Sequence, residues 1–228
     1  MTQVEVQGQV GPQTLSDGTR QAFRQGKGGE QIVQELHGRF YETNYRGAVY
    51  SDGMGLTAIN NATYTVATTD ATITPIVGIW NPSTSLVNVS IIRVTVGIVM
   101  TALASTGPGG FSWSVSLGNS VITTGNTPLN RKTLALGGAT AKGYCNVAPT
   151  GKTNANVTRF GSAIGGGSGE NVSFTATAVA MQTQALAFNE QFEGDFIVPP
   201  GAFVALLANT TPVANSAYSS IVWEEIPL

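Results

Sequence analysis

Residues 111 to 117 read FSWSVSL, an unbroken alternation of apolar and hydroxyl side chains. A period of two sets Phe111, Trp113, Val115 and Leu117 on one face of an extended chain and Ser112, Ser114 and Ser116 on the other, which the 3.6-residue period of a helix cannot do. The same period governs the chain from about residue 57 onward. It predicts strands over 62–68 (ATYTVAT), 74–80 (TPIVGIW), 87–99 (VNVSIIRVTVGIV), 111–118, 172–179 (VSFTATAV), 186–198 (LAFNEQFEGDFIV), 202–209 (AFVALLAN) and 218–226 (YSSIVWEEI). Between them stand turn sequences with a mechanism: NPSTS after Trp80, GPGG at 107–110, and PPG at 199–201, where proline fixes φ and glycine supplies φ > 0. About eight strands at this spacing, with no helical period between them, predict an all-β, jelly-roll-like two-sheet sandwich.

Charge divides the chain. Ten of the 24 charged residues fall in the first 46 positions, whereas Arg93 is the only one between residues 71 and 130. Residues 1–50 are polar and glycine-rich, with one short apolar run, IVQEL at 32–36, and are expected to form an extended arm containing a strand or a helical turn. Residues 51–228 are expected to form the sandwich. Within it, 119–170 is rich in Gly, Asn and Thr and poor in apolar residues, which predicts long loops or an excursion between strands; so long a loop in a compact domain has a function or a partner.

The bulk numbers exclude several classes of function. A net charge of −2 and a pI near 5.4 give no basic field to gather nucleic acid or an anionic membrane surface. The longest apolar stretch, 86–104, is interrupted by Asn88 and Arg93 and alternates, so it reads as strand and not as a membrane span. TQVEVQGQVG after Met1 has no basic or apolar region of a secretory leader, and the expectation is a protein used without export. One cysteine, Cys145, and one histidine, His37, leave no disulfide framework and no Cys/His zinc cluster. No cofactor, no metal and no catalytic residue is expected.

Each candidate for chemistry has a plainer explanation. GKT at 151–153 resembles the end of a phosphate-binding loop, but Asn146 stands where its first glycine belongs, and no strand leads in and no helix leads out. A catalytic His37 would lie in a polar arm, a poor place to hold a base in register. Cys145, in GYCNV, reads as a small buried or semi-buried side chain. Among the acids, Glu224 and Glu225 are adjacent on a strand and face opposite sides, while Glu193 and Asp195 share a face; both sets read as an acidic face before they read as a glycosidase pair or a calcium site. Every basic residue lies at or before Arg159, and every charge after it is acidic. Two readings stand side by side: copies of the chain dock head to side, the loops bearing Arg131, Lys132, Lys142 and Lys152 near the acidic strands of a neighbour, or the asymmetry is an accident of surface composition.

The stretch RFYETNYRGAVYSD, 39–52, gathers aromatic and charged residues in a chain short of both. Arg39, Phe40, Tyr41, Tyr45, Arg46 and Tyr50 are of the types that anchor protein surfaces to one another. Read as a strand, the stretch puts Arg39, Tyr41 and Tyr45 on one face and Phe40 and Arg46 on the other, so that a partner on each side would be needed to bury both. The alternative is a first sheet strand with its aromatics in the domain's own core.

The order of features resembles that of bacteriophage head decoration (cement) proteins and related small virion proteins. It is carried by the polar glycine-rich arm, GGEQIVQELHGRFYETNYRGAVYS, the strands IWNPSTSLVNVSIIRVTVGIV and FIVPPGAFVAL, and the WEEIPL end. The resemblance implies a non-enzymatic structural protein, made in the host cytoplasm and placed on the virion head surface. It further implies a homo-oligomer, a trimer, that clamps adjacent copies of the major capsid protein. A tail, fibre or carbohydrate-binding domain facing a receptor is the alternative, because 119–170 has no counterpart in that picture.

Overall fold

A computed structural model describes residues 39–54, 59–60, 73–100, 111–145, 147–152, 157–164, 185–192, 195–208 and 215–228. The expected strands at 62–68 and 172–179, the GPGG turn and His37 lie outside these residues. Thr43–Leu228 forms one compact unit and Met1–Glu42 another, of which 39–42 are described.

The larger unit is an all-β sandwich of two antiparallel sheets. The first holds β1 (Val49–Gly53), β2 (Ile59–Asn60), β4 (Val87–Met100), β6 (Leu129–Asn130), β9 (Ala185–Gln191), β10 (Ile197–Val198) and β12 (Asn215–Pro227), in the order β10-β4-β12-β1-β6, with β2 on β12 and β9 on β4. The second runs β7-β3-β11-β5-β8, from β3 (Val77–Trp80), β5 (Phe111–Ser116), β7 (Lys142–Gly143), β8 (Val157–Ile164) and β11 (Phe203–Ala208). The chain passes from sheet to sheet along β3, β4 and β5 and again along β10, β11 and β12, as in a jelly roll.

The long β4 explains a slip in its sequence. In VNVSIIRVTVGIV the apolar phase is odd through Val89 and Ile91, then even through Val94 and Val96. Its partner β12 keeps one phase, so Ile221 pairs with Val94 but Trp223 with Ile91, and Ile92 is left over as a bulge. The bulge keeps Val89, Ile91, Val94 and Val96 all in the core. On the other side of β4 the predicted single strand 186–198 breaks at the same place. Phe192 N–H donates to Ile92 O and Ile91 N–H to Phe196 O, so β9 ends and β10 begins around the bulge.

The main core lies between the sheets, where Trp113 and Trp223 are almost fully buried with Ile79, Ile91, Val204 and Leu206. Trp113 meets Phe192 and Phe196 edge-on, with ring centroids 5.6 and 5.2 Å away.

The second sheet is buried on its other face as well. Every residue of FVALLA in β11 is buried, which is why that strand reads as a continuous apolar run and not as an alternation. On the far face Trp80, Phe203, Ala205 and Leu207 pack against Ile73, Ile122 and Tyr144. Ile122 and Tyr144 belong to the segment expected to be loop or excursion. It is an excursion that roofs the sheet, stitched by bridges between Thr123 and Thr150 and between Asn126 and Gly143. The serine face of β5 lies on the same side, and Ser112, Ser114 and Ser116 are all buried.

The turns follow their sequences. In 199–202, Ala202 N–H donates to Pro199 O and Gly201 has φ of +81°. Asn81, which opens NPSTS, is fully buried, and its Nδ2 donates to Val87 O and Val198 O at 2.8 and 3.0 Å.

Candidate functional site

The stretch 39–50 divides into parts with different fates. Tyr41–Arg46 is a single helical turn and a half, α1, and not a strand. Glu42 lies in its first turn and Arg46 in its last, each where the helix dipole favours it. Gly47, with φ of +82°, ends it: Ala48 N–H donates to Thr43 O and Gly47 N–H to Asn44 O, both at 3.0 Å, the paired bonds of a Schellman cap. The glycine after YETNYR was the legible signal for a helix end, and the alternation of aromatics across it was accidental.

Arg39 is exposed, with its guanidinium 5.5 Å from the Phe40 ring centroid, and Phe40 is half-buried. Tyr41, Tyr45 and Arg46 are exposed, Tyr45 by 62%. Tyr50 departs from the group, because it is 8% exposed and faces the main core on β1. It pairs with Trp223 across the sheet, ring centroids 6.2 Å apart. Its hydroxyl donates to Gly138 O at 3.1 Å, so Tyr50 anchors structure and presents no surface to a partner. Val49 and Tyr50 are thus sandwich residues, and the expected arm boundary at 50 falls inside a sheet strand.

Beside α1 stands a hairpin that the sequence reading passed over. Leu129 bridges Leu136, and Asn130 organises the tip: its amide N–H donates to Ala135 O, its carbonyl accepts from Leu134 N–H, and its Oδ1 accepts from Lys132 and Thr133 N–H. Asn130 Nδ2 donates to Gly47 O at 2.8 Å, and Arg131 N–H to Val49 O, so the hairpin is fixed to the end of α1 and the start of β1. The Lys132 ammonium lies 5.0 Å from the Tyr45 ring centroid. Leu134 and Leu136 are each 73% exposed, and Leu134 holds φ of +58°, a left-handed conformation that costs a leucine about 1–2 kcal/mol. In sequence, TLALGG reads as an ordinary loop, because nothing local says that its leucines face outward.

Three acids hold the fold together: Asp52, Glu190 and Glu225. Asp52 faces inward on β1; its Oδ2 accepts from Asn126 Nδ2 at 3.0 Å and from Cys145 N–H at 3.2 Å, and its Oδ1 from Gly53 N–H at 2.9 Å. Burial pushes its carboxyl above the ordinary range. The buried Cys145 thiol is pushed well up, by burial first and then by the Asp52 charge. Glu225 faces inward as Glu224 faces out, and its carboxylate accepts from Thr140 N–H at 2.8 and 3.0 Å and from Ala141 N–H at 2.8 Å. Glu190 accepts from Trp113 Nε1 at 3.1 Å, and burial, with the Asp195 charge, raises it.

The bonds of Asp52 and Glu225 tie the roof to the first sheet, and that of Glu190 ties the first sheet to the second. Among the described residues no cluster of three His, Cys, Asp or Glu stands ready for a metal, and no helix is long and apolar enough to cross a membrane. Glu193 lies outside the described residues. Of the expected basic docking loops, Arg131 and Lys132 are exposed and Lys142 partly so, but Lys152 is buried. Thr150, next to the GKT sequence, is bridged to Thr123 in the roof.

The fold and its surface define the class: an all-β sandwich that exposes Tyr45, Arg46 and the 131–136 hairpin. No family model, no curated protein and no solved structure matches the chain.

Proposed function

We propose that this chain is a non-enzymatic structural protein of a bacteriophage head, a decoration protein that self-associates as a trimer and clamps adjacent major capsid proteins. The observation that carries the reading is the exposure of Tyr45 and Arg46 at the end of α1, residue types that serve as anchors between proteins; Arg39 and Tyr41, of the other unit, are exposed in their own right. Phe40 lies against the Arg39 guanidinium. The resemblance in the order of sequence features supplies the kind of partner. The buried, hydrogen-bonded acids favour this reading over a glycosidase. Trp80, Trp113 and Trp223 are all buried, and so do not offer the ring platform of a carbohydrate-binding face.

The mechanism is thermodynamic. A protein that binds only the assembled lattice stabilises it by mass action, and many copies on one shell multiply modest contacts. The test is co-sedimentation of the purified chain with expanded heads lacking it, beside unexpanded shells. Saturable binding to expanded heads, weakened by Tyr45→Ala and by Arg39→Ala, is expected. A chain that ignores the heads and binds one glycan on an array would replace this reading with the receptor-facing one.

A further inference from the structure

Exposed apolar side chains gather at two places on the first sheet, and each carries its own charge. At the β6 edge the hairpin shows Leu134 and Leu136 beside the exposed Arg131 and Lys132. At the β10 edge Ile197 is 50% exposed, two residues from the exposed Asp195. The adjoining end of β12 shows Ile226 and Leu228 beyond the half-buried Glu224, and Leu228 N–H donates to Leu86 O, whose own side chain is 80% exposed. One edge is apolar and basic; the other is apolar and carries Asp195 and Glu224, with the exposed Arg93 of β4 as its one neighbouring cation among the described residues.

The strand register puts both at the same level of the sheet. Ile197 pairs with Ser90, Ser90 with Glu224 and Glu224 with Val49, and Val49 O accepts from Arg131 N–H. A single row thus runs from Ile197 at one edge to Arg131 at the other. The two surfaces are separated by the width of the sheet and cannot meet within one chain. They can meet between two copies.

From this charge complementarity we propose that copies of the chain associate head to tail, the 131–136 hairpin of one docking against the Asp195–Ile197 edge and the Glu224–Leu228 strand end of the next. Such a contact joins two different surfaces, so repetition closes a ring when the rotation allows. β6 and β10 are each two residues long, too short to extend one sheet into another, so side chains carry the contact. The bonds of Asn130 hold the hairpin, with its left-handed Leu134, in one conformation before docking, which lowers the ordering cost of association. The inference rests on the self-association in the reading above and specifies its interface.

The test is light scattering of the full chain over a range of concentration and salt, for wild type, for Arg131→Glu with Lys132→Glu, for Asp195→Lys with Glu224→Lys, and for the four changes combined. The expected result is a salt-sensitive oligomer, a loss of affinity of about tenfold or more in each reversed pair, and recovery in the combined chain. A wild type that is monomeric throughout overturns both the interface and the trimer, leaving head binding to be judged by co-sedimentation. An oligomer indifferent to the reversals overturns this interface alone, as does a combined chain that fails to recover. If a reversed chain does not fold, Leu134→Ser with Leu136→Ser, and separately Leu86→Ser, test the same contact at well-exposed positions. Weakened association in both supports it, and unchanged association in either overturns it.

Discussion

Gly143 lies against the Asp52 carboxylate so closely that a Cβ at 143 would fall inside contact distance of the Asp52 Cβ, Cγ and Oδ2. The contact joins β7 in the second sheet to β1 in the first, and glycine at 143 is what lets an inward-facing acid fit there. Gly143→Ala is therefore expected to destabilise the sandwich by about 1–3 kcal/mol, the range of an overpacked core. Urea unfolding measures it, and an unchanged midpoint would show that the two sheets can separate there without cost.

Asp52, Glu190 and Glu224 all have carboxyl groups raised by burial above 3.8 for Asp and 4.5 for Glu. A raised acid binds its proton more tightly in the folded state than in the unfolded one. Stability is then fullest below the unfolded values and falls as pH rises through the window up to the folded ones. Thermal midpoints are expected to fall as pH rises through the mildly acid range, and Asp52→Asn should flatten that slope. A midpoint that climbs over the same range would contradict the sign.

Glu225 holds Thr140 and Ala141 by their backbone amides, five and four residues before the buried Cys145. Removing a charged acceptor of this kind costs about 3 kcal/mol, so Glu225→Ala should lower stability by that order, with Glu225→Gln less affected. Because Cys145 is the one thiol, a thiol-specific reagent reports the event directly. Labelling is expected to be slow in the wild type and faster in Glu225→Ala under native conditions; equal rates would mean that Glu225 does not secure this part of the roof.

Tyr45 and Tyr50 are five residues apart and should respond in opposite ways. Tyr50→Ala empties a core position and is expected to cost about 3–5 kcal/mol, whereas Tyr50→Phe keeps the ring and loses the hydroxyl's bonding to Gly138 O and the Asn130 side chain, about 0.5–1.5 kcal/mol per bond. Tyr45→Ala, at an exposed site, should stay within about 0.5 kcal/mol while weakening head binding. A large stability loss at Tyr45 would move it from docking to folding.

Leu134→Gly relieves a left-handed leucine but adds chain entropy to the unfolded state, so a net gain of up to about 1 kcal/mol is expected. The same change should weaken self-association. Undiminished association would count against the hairpin contact, whatever happens to stability.

The sequence by itself determined the strands and the turns that have a local cause. Alternation in FSWSVS and the PPG turn are one-dimensional signals, and both lie where expected. The phase slip within VNVSIIRVTV was also written in the sequence, but only the pairing with β12 shows that it is a bulge at Ile92. At α1 a tertiary reading of aromatics overlooked a local one, the Gly47 cap.

What tertiary structure alone decided is which polar and apolar residues change places. Asp52, Glu225 and the serines of β5 are buried because backbone amides and a roof from 120–152 arrive from distant parts of the chain. Leu134 and Leu136 are exposed because Asn130, Gly47 and Val49 hold their hairpin away from either core. Burial is set by what comes to lie opposite a side chain. A strand's period says which residues share a face, and only the packed sandwich says what covers it.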